Sequence, residues 1–514
     1  MNPNELIILE LLRNKARTLE DLSVTKRKIV KEHKISCPSN VDLLKSYHNL
    51  VKNKELKKNK ILEEILRKRK IRSLSGVVVV SVLTKPYPCP GKCIYCPSEK
   101  GLPKSYLSGE PAVERAKRNK FNPYLQAIDR IKSLEIQGHP TDKIELRIIG
   151  GSWTVYPKKY QERFIKECFN ACNGKISKNL EKAQKLNEKA KHRIVGISIE
   201  TRPDLIDKKE TLNLRRLGVT MVELGVQTIY DDVLKKCQRG HLVKETIKAT
   251  KLLKDAGFKV MYQMMLNLPG SDLKKDFLSL KEIFENPDFK PDWLKIYPCV
   301  VCKNTKLYEL WQQGEYKSYS DKELIKLLIQ IKEILPYWVR VARLFRDIPA
   351  YHIKAGSKIS NIRQVVQKEM RKRGKTCHCI RCREIREKYE PKEKIALFRE
   401  DYNASEGKEI FLSFENKNRT KLYSLLRLRL HFENSSRSAI IRELHTYGQM
   451  LQISEKRLAV QHIGLGKKLI KEAEKIAKEF NLKKIAVISG IGARNYFRKL
   501  GYRLKNTYMA KSLK

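Results

Sequence analysis

Six short β-rich runs, most of them followed by an amphipathic helical stretch, recur between Ile71 and about Phe345: GVVVVSVLT, KIELRIIG, RIVGISIE, VTMVELGVQ, KVMYQMML and DWLKIYP. A helix between two strands returns the chain to the same end of a sheet, so this rhythm predicts an α/β fold with a parallel sheet or partial β/α barrel. In such sheets the chemistry collects at the C-terminal ends of the strands, and the unusual residues of this chain do follow strands. At 514 residues and 41% apolar content the chain is long enough for several cores. Four segments separate. Residues 1–70 carry 18 Lys+Arg against 9 Asp+Glu, with helical spacing in ELIILELLRN and KILEEILRKRK, and read as a basic helical region. The partial barrel follows over 71–345, a charged, cysteine-dotted linker over 346–404, and a second α/β domain over 405–514.

The formal charge of +51 favours an acidic macromolecule over a small neutral metabolite, with nucleic acid ahead of an anionic membrane surface. No apolar run approaches the roughly 18 residues that span a bilayer. The N-terminus MNPNELIILELLRNK lacks the order of a signal peptide, so a soluble, cytoplasmic protein without membrane partners is expected. The twelve cysteines are clumped, and in a reducing compartment clumps indicate metal more often than disulfide.

The first clump, Cys89, Cys93 and Cys96 in CPGKCIYC, stands in a loop after the run GVVVVSVLT. Three thiolates at this C-x3-C-x2-C spacing hold three irons of a 4Fe-4S cluster and leave the fourth iron open to the amino and carboxylate groups of S-adenosylmethionine. This is the pattern of the radical S-adenosylmethionine enzymes. A zinc knuckle is the alternative, but it pairs C-x2-C units and needs a fourth ligand nearby. Gly150 and Gly151 end KIELRII, where bare backbone can approach the methionine moiety. Glu200 and Arg202 end RIVGISI and offer polar contacts.

The second pattern is Gln461-His-Ile-Gly464-Leu465-Gly466-Lys467, which opens the helix GLGKKLIKEAEKIAKEF after a strand around RELHTYG. A glycine turn at a helix N-terminus offers free N–H groups to a pyrophosphate. It resembles the coenzyme A turn of the GNAT acetyltransferases, and the strand KIAVIS and the helix ending in NYFRKLGY match that fold's later elements. Cys377, Cys379 and Cys382 place three thiols within six residues, which suits structural zinc with a distant fourth ligand, or a second iron–sulfur cluster.

Taken in order, KPYPCPGKCIYCP, GISIETRPD, ELGVQT, LKIYPC, RDIP, CHCIRCRE, EIFLSFE, RELHTYG and NYFRKLGY resemble the Elongator catalytic-subunit family of archaeal type, over nearly all of residues 71–514. The resemblance implies a radical domain, a zinc-binding linker and a GNAT domain acting on the anticodon stem-loop of tRNA. It implies the cluster on Cys89, Cys93 and Cys96. It also implies acetyl-CoA on Lys143, on Glu443, Leu444, His445 and Thr446, and on Leu465, Gly466 and Lys467, with Lys143 as a cation beside the radical site. A homodimer and accessory subunits are both compatible with it. The implied chemistry removes hydrogen from the acetyl methyl group, joins that carbon to the wobble uridine and hydrolyses the thioester, giving 5-carboxymethyluridine.

Two departures stand out. The family's tandem tyrosine is Tyr496-Phe497 here, which leaves Tyr496 or water to act as the acid and Phe497 to pack on coenzyme A. Cys299 and Cys302 form an extra pair, read as small core residues, a zinc contribution or a local disulfide. Three rival readings are a protein lysine acetyltransferase with a structural cluster, a tRNA-binding scaffold without activity, and a radical methylthiotransferase. The basicity argues against the first, the intact cysteine and glycine patterns against the second, and residues 405–514 against the third.

Overall fold

The computed structural model describes residues 2–67, 75–386, 393–431, 438–448 and 464–513. The N-terminal region forms four helices, Pro3–Arg13, Leu19–Glu32, Asn40–Lys52 and Lys60–Leu66. Each starts where a side chain accepts a free backbone N–H, from Asn2, Thr18, Ser39 and Asn59 in turn. Their apolar faces close over a core of their own that includes Ile7, Leu11, Leu43, Tyr47 and Leu66.

The strands, in chain order, are β1 (Val78–Leu83), β2 (Lys143–Ile149), β3 (Arg193–Thr201), β4 (Met221–Gln227), β5 (Lys259–Leu266), β6 (Trp293–Pro298), β7 (Val301–Cys302), β8 (Arg340–Arg343) and β9 (Ile353–Ala355). After them come β10 (Ile395–Ala404), β11 (Gly407–Asn416), β12 (Leu422–His431), β13 (Ser438–Thr446), β14 (Lys484–Val487), β15 (Arg503–Lys505) and β16 (Tyr508–Ser512). The predicted parallel sheet is present as seven strands in the order β1-β2-β3-β4-β5-β6-β8, every pair parallel. All six predicted runs are strands. β8 was not predicted, because four residues with two arginines carry no apolar period.

Alternation decides which face each side chain takes. Val78, Val80, Val82, Ile144, Leu146 and Ile148 are buried in the main core under the crossover helices. Their neighbours Val79, Ser81, Glu145 and Arg147 turn to the concave side. Strands β1 and β8 do not pair, so the sheet is a half-barrel with a lateral gap. Bonds between the segments that follow those two strands bridge it. Arg346 donates to the Ser105 carbonyl, and Tyr351 and His352 reach the Ser108 carbonyl at 3.2 and 3.0 Å.

A second seven-stranded sheet follows, in the order β10-β11-β12-β13-β14-β16-β15. Its first strand lies in the segment that the sequence assigned to the linker; its alternating exposure marks an edge strand. The β13–β14 pair is parallel and holds for only three residues, Ala439–Ile441 against Ile485–Val487. Beyond that the strands part, leaving Arg442 at a bulge and Glu443–Thr446 paired to β12 alone.

The two sheets are joined by buried charge. Arg442 donates to both Asp292 oxygens at 2.8 and 2.6 Å and to Glu409 at 2.8 Å. Arg427 donates to Glu443 at 2.8 Å and to the Trp338 carbonyl at 2.6 Å, and Lys254 lies 3.8 Å from Asp292. Asp292, Arg427, Arg442 and Lys254 are completely buried. Burial drives the Asp292 carboxyl up, but Arg442, Lys254 and Arg427 more than reverse this and hold it well below the usual carboxylate range. Removing one member leaves the others buried and short of a partner, so Arg442→Met is expected to lower stability by about 3–5 kcal/mol. Denaturant unfolding measures this, and adding Asp292→Asn to Arg442→Met is expected to restore part of the loss.

Candidate active site at the core of the half-barrel

Cys89, Cys93 and Cys96 lie in the loop beyond the C-terminal end of β1. That loop is pinned by Ile94 N–H to the Cys237 carbonyl at 3.2 Å and by the Lys104 ammonium to the Gly91 carbonyl at 2.9 Å. Burial raises the Cys93 thiol, yet Arg239, whose Nη1 lies 3.4 Å from its sulfur, more than compensates and brings it below its ordinary value. Burial pushes Cys96 up to about 11. Arg202 is clamped to Asp204 at 2.9 and 3.0 Å, while its Nη1 is buried without a hydrogen-bond partner, where a side chain at Gly91 would collide with it. Two buried guanidinium groups beside three thiols form the surroundings that an anionic iron–sulfur cluster requires, so the residues fit that group. Gly150, at φ +133°, has no room for a Cβ against Thr84, and it ends β2 with its backbone open to the cavity.

Below this loop the concave face carries ionised groups at consecutive inward positions. Glu200 accepts from Tyr106 at 2.7 Å and from Gln263 at 3.2 Å, and lies 3.5 Å from Lys295. Lys295 pairs with Glu223, which also accepts from Gln263 at 3.2 Å, and Arg147 bonds Glu145 at 2.8 Å. At the N-terminal ends of the strands stand Lys259, Trp293 and Arg340, the first residues of β5, β6 and β8. Here the second domain enters. Arg340 donates to the Tyr447 hydroxyl at 3.0 Å, Lys259 lies 3.5 Å from Glu443, and the His445 and Tyr447 rings meet at a tilt of 33° with centroids 4.2 Å apart. His445 Nε2 lies 2.8 Å from the Ser75 carbonyl, and a carbonyl only accepts, so Nε2 carries the proton and Nδ1 keeps its lone pair. Burial lowers the His445 pKa and keeps the ring neutral. One cavity of about 740 Å³ is lined by Cys89, Cys93 and Cys96 at one end and by His445 and Tyr447 at the other.

The other predicted residues divide. Thr446, Gly466 and Tyr496 come together: a Cβ on Gly466 would lie 3.1 Å from the Tyr496 hydroxyl and 3.6 Å from Thr446 Oγ1. Gly464, at φ +76°, turns the chain into the helix Leu465–Glu479, so Leu465, Gly466 and Lys467 form its first turn. Glu443 is committed to Arg427, and Leu444 packs against the second domain's core. Gln461 lies outside the described residues. Lys143 is not beside the radical site. It begins β2, at the opposite end of the strand from Gly150, a separation of about 20 Å at strand rise. Phe497 does not present its ring to a coenzyme; it is buried in the second domain's core, edge-on to Tyr496 and Tyr502. The helix there is only Arg494–Arg498, and Gly501 at φ +86° follows it.

Cys377, Cys379 and Cys382 have sulfurs within 4.8 Å of one another, the one such convergent ligand group among the described residues. Beside them stand Lys332, with its ammonium 3.2 Å from Cys377 Sγ and 3.5 Å from Cys382 Sγ, and Gln367, whose Nε2 lies 3.6 Å from Cys382 Sγ. Cys299 and Cys302 are buried, Cys299 in an apolar cluster with Cys93 and Cys237. Sequence reasoning missed Arg239, Tyr106, Glu223, Gln263, Lys295, Arg340 and Tyr447. For Glu223 and Lys295 the signal existed, a charge inside VTMVELGVQ and inside DWLKIYP, where a fully buried strand would be apolar throughout.

A Radical SAM superfamily model matches residues 87–279, and a Radical_SAM C-terminal domain model matches residues 291–372. The tRNA uridine(34) acetyltransferase of Methanocaldococcus infernus is 49% identical over 499 residues, spanning 93% of this chain and 92% of that protein. Elongator complex protein 3 of Homo sapiens is 40% identical over 479 residues, 88% of this chain and 87% of that protein. The solved structure of Methanocaldococcus infernus Elp3 with residues 1–46 deleted superposes with a TM-score of 0.76 at 46% identity, covering 86% of this chain and all of that one. A half-barrel with a three-cysteine loop, fused to a second sheet and matched along nearly its whole length, places this chain in the radical S-adenosylmethionine family of Elongator complex protein 3 and the tRNA uridine(34) acetyltransferases.

Proposed function

We propose that the chain modifies the wobble uridine in the anticodon stem-loop of tRNA, using acetyl-CoA as the carbon source, to give 5-carboxymethyluridine. The observation that carries this reading is the single cavity shared by the cysteine loop and the strand of His445 and Tyr447. Cys89, Cys93 and Cys96 would hold a 4Fe-4S cluster, and Gly150, Gly151, Glu200 and Arg202 would receive S-adenosylmethionine; together these cofactors would supply a one-electron route to a hydrogen-abstracting carbon radical. The second domain is read as a GNAT domain, whose parted β13 and β14 and glycine turn at Gly464–Lys467 receive coenzyme A. Lys143 stands at the strand end nearer that domain, which suits a contact with the coenzyme rather than with the radical centre.

A carboxymethyl product requires the acetyl group to react through its methyl carbon. A hydrogen atom would pass from that methyl to the carbon radical derived from S-adenosylmethionine, the methyl carbon would join uracil C5, and the adduct would give its C5 proton to solvent and return one electron to the cluster. Water then cleaves the thioester and frees coenzyme A. The chain's own residues orient and protect these steps. The Glu200–Lys295–Glu223 layer presents fixed dipoles away from bulk water. Tyr496, whose hydroxyl lies by Gly466 in the first turn of the helix Leu465–Glu479, is read as the acid for the departing thiolate. Cys377, Cys379 and Cys382 are assigned to zinc.

Anaerobic incubation of the reconstituted protein with reductant, S-adenosylmethionine, methyl-labelled acetyl-CoA and bulk tRNA, read by nucleoside mass spectrometry, is expected to place label in wobble 5-carboxymethyluridine and to lose it on Cys93→Ala. Label on added protein lysines with unmodified tRNA points instead to a lysine acetyltransferase. Zinc measured by plasma mass spectrometry is expected to persist in Cys93→Ala and to disappear in Cys379→Ser. Affinity for tRNA is expected to fall at least about tenfold between 50 and 200 mM salt, with a shallower slope when the basic helices of residues 2–67 are removed.

A further inference from the structure

The inner face of a closed parallel barrel is ordinarily filled by layers of branched apolar side chains. This half-barrel is not filled. Its concave face carries Glu145, Arg147, Glu223, Gln263 and Lys295, paired to one another across the register, and its cavity reaches both ends of the strands. Trp293 pairs in register with Met261 and Arg340, Lys295 with Gln263 and Arg343, and Tyr297 with Met265, so three inward levels stack above the second domain. Successive inward positions are about 6.6 Å apart, which sets Tyr297, beside the cysteine end, about 13 Å above Trp293. The lateral gap is bridged by Arg346, Tyr351 and His352, and Arg115 Nη2 and Arg363 Nη2 cap the exposed edges at the Ser81 and Val341 carbonyls at 2.7 and 3.1 Å.

We propose that the interior of the half-barrel is a passage. The thioester end of a long, flexible coenzyme arm enters from the His445–Tyr447 strand, between Lys259, Trp293 and Arg340, and is carried up past Lys295 to the level of Met265 and Tyr297. A nucleic-acid base enters from the cysteine end, so the two substrates meet inside the protein and the acyl group is never released to solvent. This rests on the proposed use of acetyl-CoA; what it adds is the route and the residues that line it.

Met265→Cys, at the upper level of the passage, is treated with bromoacetyl-coenzyme A, and alkylation at position 265 is mapped by peptide mass spectrometry in the full-length, cluster-loaded protein. Alkylation is expected, and it is expected to fall at least tenfold when Ala342→Trp or Val79→Trp fills the lower half from opposite edges of the sheet. Both plugs leave the cysteine loop untouched, so reductive cleavage of S-adenosylmethionine to 5′-deoxyadenosine within about twofold of the parent reports that each has folded. Alkylation that ignores both plugs, or that never reaches position 265, overturns the passage. In the labelled-tRNA assay the plugs are expected to abolish product. A parent protein that makes no product, where Met265→Cys is alkylated and the plugs block that alkylation, sinks the proposed reaction and leaves the passage standing.

Discussion

Everything in the site depends on Asp292, a carboxylate with no exposure that sits one residue before β6 and faces the second domain. It receives two hydrogen bonds from Arg442, a backbone N–H from Val260 at 2.8 Å, and the field of Lys254 and Arg427. Such a group cannot be stranded in a dry interface, since an unpaired buried carboxylate costs several kcal/mol. The interface therefore has one register in which Asp292 and Glu409 both receive hydrogen bonds from Arg442 and Arg427 reaches Glu443. That register sets β13 against the foot of the half-barrel and brings His445 and Tyr447 to its cavity. Apolar contact alone would tolerate sliding; a bidentate arginine does not.

A second contact fixes the rotation about that point. Gly490 and Gly492 lie so close to the Val195 carbonyl and to Arg193 that neither has room for a Cβ. Nearby, Glu188 accepts from Arg498 at 2.6 Å and from Arg494 at 3.2 Å. The strands β13 and β14, which part after Ile441 and Val487, are thus each anchored to a different part of the half-barrel. The opening between them is held by the partner domain as well as by its own hydrogen bonds.

The sequence made the half-barrel legible because all six of its apolar runs carry strong β-formers, and the cysteine loop legible because its spacing has few other uses. It was weaker wherever a position's meaning depends on which face it takes. Lys143 reads as a lysine before a glycine pair, and only the length of β2 shows that it stands at the far end from Gly150. Phe497 reads as a lost hydroxyl; in the structure its ring fills a core bounded by Tyr502 and Leu469, where a buried hydroxyl would need a partner. The interface arginines could not be found from LYSLLRLRL, since a strand that alternates Leu and Arg reads as half-solvated. Arg427 and Arg429 are in fact among the most deeply buried side chains of the molecule.

The two cysteine triads show how little of a site is its residue types. In CHCIRC, Cys379 caps the short helix Ile380–Arg383 and Cys382 N–H bonds the Cys379 carbonyl at 3.0 Å, so one helical turn gathers the sulfurs to a point fit for a single ion. In CPGKCIYC the Cys96 N–H bonds the Cys93 carbonyl at 3.1 Å in the same way, but Cys89 stands four residues before Cys93, across Pro90 and Gly91, and the three sulfurs do not converge within 4.8 Å. The cations around them differ accordingly. Arg202, just after β3, and Arg239, after the short helix Asp231–Lys236, meet the loop at Gly91 and Cys93. Lys332, on the helix Asp321–Glu333, meets two sulfurs of the compact triad directly. A divalent ion held by three thiolates carries one net negative charge, and a completely buried ammonium offsets it. Because that ammonium belongs to the half-barrel and the thiolates to the linker, an ion bound there also joins the two, on the side of the barrel where Arg383 and Glu415 continue the connection into the second sheet.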